Sequence, residues 1–167
     1  MRDSSDGPTG GPLERLKQLG LELPVAPRPL ASYVPARAVP AGGDQGLLFV
    51  SGQIAMRDGA PAHVGSVPDE VSIEEAEADA RMCALNILAQ VHQAVGLENL
   101  VHVAQVTGFV RSRDGFGGQP GIINAASDLL FQVLGEAGRH ARVAVGTNAL
   151  PLNACVEIAA VVLVRNP

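Results

Sequence analysis

The chain has 167 residues, enough for one domain with a real core and little left for a second. Hydrophobic residues make up 47% and charged residues 17%, which excludes a disordered chain, and with 3% aromatics and no Trp the core must come from Val, Leu, Ile and Ala. The formal net charge is −5, and the twelve Lys and Arg are scattered, so no basic stripe suits a phosphate backbone, which argues against nucleic acid as a partner.

In chain order, residues 1–12 carry Gly, Pro, Ser and Asp and read as a disordered tail. Residues 13–32 form an N-terminal extension: Leu13, Leu16 and Leu19 fall at helical spacing, Gly20 ends that turn, and Pro24, Pro27 and Pro29 hold an extended segment across the surface. The remainder, 33–167, reads as a single domain. A short strand over 33–39 and a stronger one over 47–53 flank a Gly-rich turn, which predicts a hairpin.

Ser72 and Glu75 have the spacing of a capping box. Apolar residues then recur every three or four positions from Ile73 to Val95, until Gly96 stops the helix. Val101 to Arg111 predicts a strand, and a loop over 114–121 leads to a second helix from Asn124, read as its N-cap, to Leu134. Two further strands contain Arg142 and Glu157, joined by Leu-Pro-Leu-Asn. The order predicts a two-layer α+β domain with both long helices on one face of a mixed sheet, leaving the other face for a subunit interface.

An isolated charge in a strand interior costs several kcal/mol unless paired, so Arg142 and Glu157 read either as an ion pair or as walls of a polar pocket. Ser51 and Gly52 close an apolar run, where the missing side chain lets another group approach. Cys83, in a helical pattern, and Cys155, in a strand pattern, read as buried thiols rather than a disulfide. The four histidines and two cysteines lack metal-ligand spacing, which argues against a metal. No serine-hydrolase elbow is present, and the single lysine, Lys17, lies in the extension. With neither a signal-peptide pattern nor a membrane-length apolar run, the expected location is cytoplasmic.

Ser32-Tyr33-Val34, Phe49-Val-Ser-Gly-Gln-Ile54, Asn124, Ala141-Arg142 and the run from Leu150-Pro151 to Glu157-Ile158 together resemble the Rid family. That reactive-intermediate deaminase family is also called the YjgF or L-PSP endoribonuclease family, and the resemblance spans roughly 33–164. It implies a chorismate-mutase-like homotrimer with ligand clefts between subunits and no cofactor or metal. It also implies that Arg142 binds a substrate carboxylate, that Glu157 holds the attacking water, and that Tyr33, Ser51, Gly52, Asn124 and Ala144 line the cleft. Ala144 stands where Cys is frequent and Ala159 where an acid is frequent, and the longer extension and 117–121 loop mark a divergent, YjgF-like branch. The implied reaction is hydrolysis of 2-imino acids to 2-keto acids and ammonia. A non-catalytic module binding small carboxylates is the alternative, with an endoribonuclease third.

Overall fold

The computed structural model describes residues 10–29 and 31–165. The tail expectation for 1–9 lies outside them, and Pro12, expected in the tail, instead opens the first helix. This helix, α1 (Pro12–Gln18), has Pro at its first turn, where the missing N–H is no loss. The strands are β1 (Ala36–Gly42), β2 (Gln45–Ile54), a minor hairpin of β3 (Met56–Arg57) and β4 (Ala60–Pro61), β5 (Leu100–Arg111), β6 (Ala141–Thr147) and β7 (Val156–Arg165). The long helices are α2 (Ile73–Val95) and α3 (Gln119–Leu134).

The main sheet has the order β1-β2-β7-β5-β6, antiparallel except for the parallel pair β5–β6. The mixed sheet and the β1–β2 hairpin are as expected, with β1 starting three residues later than the sequence suggests. Residues 31–35, with Tyr33 and Pro35, precede it. Cys155 lies one residue before β7 rather than within it. The last two strands are not neighbours in the sheet. A parallel β6 needs a crossover from β5, and α3 supplies it, while β7 inserts between β2 and β5.

Helix α2 starts as the sequence requires. Glu75 N–H donates to the Ser72 hydroxyl while the Glu75 carboxylate accepts from Ser72 N–H, and Gly96 ends the helix at φ 82°. Ala76, Ala80, Cys83, Ile87 and Val91 of α2 and Ile122, Ala126, Leu129 and Val133 of α3 are fully buried on one sheet face. They meet Leu48, Val106, Val110, Val156, Ile158 and Val162, the alternating positions of β2, β5 and β7. Gly108 permits this contact, because a Cβ there would come within 2.7 Å of the Ile123 side chain.

Among the described residues the opposite face has no helix. Val39, Phe49, Val143 and Val145 stand on it, each 41% to 44% exposed. The N-terminal arm covers a different part of the domain, tied by a 2.6 Å bond from Gln90 Nε2 to the Pro27 carbonyl, with Leu21 and Leu23 against the core. Among the described residues no helix is long and apolar enough to cross a membrane.

Candidate functional site

The candidate residues fall into two groups. Within β6, Arg142 and Ala144 face the α3 side, and Ala144 packs on the core. Asn124 is not the N-cap of α3, because the helix begins at Gln119, with Gly118 at the cap and Pro120 in its first turn. One turn further in, Asn124 and Ser127 are three positions apart and share a helix face. Both reach Arg142: its Nη1 donates to Asn124 Oδ1 at 2.9 Å and to Ser127 Oγ at 3.0 Å, while Nη2 donates to the Pro120 carbonyl at 3.2 Å.

A guanidinium has five N–H donors, so these bonds leave two without an acceptor among the described residues, the number a bidentate carboxylate takes. The cleft beside Arg142 measures about 320 Å³ and is lined by Ser127, Asp128, Phe131, Arg139, His140 and Arg142. Arg139 lies 4.4 Å from the Phe131 ring centroid and is paired with Glu136 at 2.9 Å.

The second group is on the other side of the sheet. Glu157 sits between Val156 and Ile158, both buried beneath the helices, so alternation puts its carboxylate on the open face. It lies over Gly52, where a Cβ would overlap the carboxylate itself. Gly52 falls within a bulge of β2, between Val50 and Gln53, so local irregularity and absent side chain together make room for the acid. Partial burial pushes the Glu157 carboxyl above the usual carboxylate range. Ser51 donates to the Val34 carbonyl at 2.8 Å, which fixes the segment carrying Tyr33. Tyr33 and Gly52 line a small cavity of about 40 Å³ with Pro27, Arg28, Pro35 and Met56.

Arg142 and Glu157 therefore do not pair within one chain. β5 separates their strands by two strand spacings, roughly 10 Å, and the side chains leave opposite faces. Of the two arrangements the sequence allows for these charges, the ion pair is therefore absent within one chain. One of the basic residues sharing the face of Glu157 is Arg111, two positions along β5 from Phe109, the partner of Glu157 in the sheet. Arg111 donates to the Asn153 carbonyl at 3.4 Å and approaches Glu70 at 3.8 Å, while its Nε is buried without a partner among the described residues.

Ser127, His140 and Arg111 are not singled out by the sequence. For Ser127 the signal was its three-residue offset from Asn124, visible only once Pro120 is read as a first-turn proline. A separate cluster is structural in character: Asp79, 4% exposed, pairs with His63 Nδ1 at 2.8 Å and accepts from Cys155 Sγ at 3.2 Å. Both cysteines are free and buried, and burial pushes both thiols up.

Residues 13–163 match the family described as "YjgF/chorismate_mutase-like, putative endoribonuclease". The chain belongs to this YjgF family. It is 39% identical over 153 residues to Protein TCP17 of Trypanosoma cruzi, covering 90% of this chain and 92% of that one. The crystal structure of Atu1372 from Agrobacterium tumefaciens, a protein of unknown function, is similar with 46% identity, 92% coverage of each chain and a TM-score of 0.81. E. coli TdcF, solved with bound serine, is similar with 26% identity, a TM-score of 0.56, and coverage of 84% of this chain and 94% of its own. Among YjgF proteins, the chorismate-mutase-like α+β fold thus holds for this chain.

Proposed function

We propose that the protein hydrolyses reactive 2-imino acids to 2-keto acids and ammonia, working as a homotrimer whose clefts join two copies. The observation that carries this reading is Arg142, braced by Asn124, Ser127 and Pro120 with two N–H groups to spare at the edge of an open cleft. A planar fork held in one orientation binds a carboxylate at little further entropic cost and fixes the adjacent imine carbon. Glu157, its proton affinity raised by burial, suits the task of taking a proton from water. Water adds to the imine carbon, its proton passes through Glu157 to nitrogen, and the carbinolamine collapses by breaking the C–N bond. As that bond breaks the hydroxyl proton passes to nitrogen, so ammonia leaves and the hydroxyl oxygen becomes the keto oxygen.

The separation of Arg142 from Glu157 supports assembly from two copies. One chain has each half on a different sheet face, and an uncovered face bearing Phe49, Val143 and Val145 is the natural surface for another copy to bury. Light scattering should give about three times the 17.2 kDa chain mass, and a monomer across micromolar concentrations would reject the shared cleft.

The chemical test supplies an imine generated in situ by an amino-acid oxidase and follows keto-acid release. Acceleration lost in Glu157→Gln supports hydrolysis. Carboxylate binding with no acceleration would instead support a metabolite-binding module, a reading favoured by the serine bound to TdcF. The net charge of −5 gives little support to an endoribonuclease.

A further inference from the structure

Hydrogen directions in the Arg142 cleft follow from which atoms can only accept or only donate. His140 Nδ1 lies 2.6 Å from the Gly138 carbonyl, which only accepts, so Nδ1 carries the hydrogen. In the neutral ring Nε2 is then an acceptor, and the Ser127 hydroxyl, 3.0 Å away, donates to it. Arg142 only donates, so Ser127 Oγ accepts from Nη1. Ser127 in this state has its single hydrogen committed to the imidazole and none to offer a ligand.

Protonation of His140 reverses one of these bonds. Nε2–H must now donate, so Ser127 Oγ accepts from both His140 and Arg142, and its own O–H has to turn away from each. The cleft that all three side chains line is open to it, in competition with the carbonyl one turn back on α3. The other charged groups on that cleft are Asp128 from α3 and Arg139, the latter neutralised by Glu136 on the turn before it. A bound carboxylate would add a negative charge beside the imidazole.

We infer that Ser127 is a ligand-contacting residue of the Arg142 cleft and His140 a positioning residue that directs its hydroxyl, so that small carboxylates, 2-keto acids among them, bind more tightly when His140 is protonated. This rests on the reading of the cleft as a carboxylate site. The protonated state supplies an extra hydroxyl donor and an extra positive charge together, both absent from the neutral state. A pair that merely fastens the 135–138 turn to α3 would have the same geometry but no linkage to ligand.

Calorimetric titration of the full chain with 2-oxobutyrate at pH 5.5 and pH 8 tests it, alongside an NMR titration of the His140 ring with and without the ligand. Affinity should rise about tenfold at the lower pH, the scale of one added hydrogen bond to a charged group. By linkage, saturating 2-oxobutyrate should raise the titration midpoint of His140. His140→Gln and Ser127→Ala should each remove most of the pH dependence, and any slope that survives belongs to other groups such as Glu157. Equal affinity at both pH values with an unmoved His140 midpoint would overturn the inference while leaving the carboxylate site intact. No binding at either pH would overturn the carboxylate reading, and this inference with it.

Discussion

The two halves of the candidate site are built on opposite principles. Around Arg142 the hydrogen bonds come from α3: two side chains and one carbonyl orient the guanidinium. Around Glu157 the chain supplies space and desolvation, through Gly52 and the apolar strands, and the carboxyl responds with a raised pKa. A charge meant to hold another charge is best fixed in advance, because reorganising it during binding costs free energy. A group meant to pick up a proton is best left partly desolvated, since that brings its proton affinity closer to neutral pH.

The largest expected effect comes from breaking the organised half. Arg142→Lys keeps the charge but cannot satisfy Asn124, Ser127 and Pro120 while presenting two donors, so 2-oxobutyrate binding should weaken by about 1–3 kcal/mol. Calorimetry reads that loss, and a melting curve close to that of the unaltered protein would separate it from damage to the fold. Retained affinity in the lysine variant would mean the fork geometry is irrelevant.

Gly52→Ala attacks the other half. Its Cβ meets the Glu157 carboxylate, so either the acid or β2 must shift, at about 1–3 kcal/mol as overpacking usually costs. Chemical denaturation should show the destabilisation, and imine hydrolysis should fall while carboxylate binding at Arg142 stays. Equal loss of binding and turnover would show that the halves are not separable.

Asn124→Ala removes one brace and leaves the anchor. Carboxylate affinity should drop by roughly 1 kcal/mol, the net worth of one such bond, which titration against the parent protein would resolve. Should affinity instead be unchanged, the orientation of Arg142 would have to rest on Ser127 and Pro120.

The smallest effect is on stability through Glu157. Its pKa is raised in the folded chain, so the folded state holds the proton more tightly than the unfolded one and stability falls as pH rises through the folded value. Glu157→Gln has no such penalty. Its melting temperature at pH 8 should equal or slightly exceed that of the parent, and the advantage should vanish below about pH 4.3, the ordinary glutamate value. A variant less stable than the parent at pH 8 would contradict desolvation as the dominant influence on this carboxyl.

How much of this was legible differs by element. The capping box, the three-and-four spacing of α2 and the Gly96 stop are local signals, and the helix occupies the residues they predict. Asn124, a good capping residue, points to a later start for α3 than the one the first-turn proline Pro120 marks. In β6 and β7 almost every residue flanking the charges is small or apolar, so alternation gave no indication of which face each charge takes.

By itself the sequence determined the α+β class, the long elements and the identity of Arg142 and Glu157 as the charges needing explanation. These depend on short-range patterns of capping, periodicity and desolvation. Only the tertiary structure decided that the two charges part company, that Asn124 and Ser127 brace the arginine, and that Gly52 accommodates the glutamate. Each depends on strand order and register, which set residues far apart in the chain side by side or on opposite faces. A parallel β6 beyond β5 and an inserted β7 leave no trace in the composition of either strand.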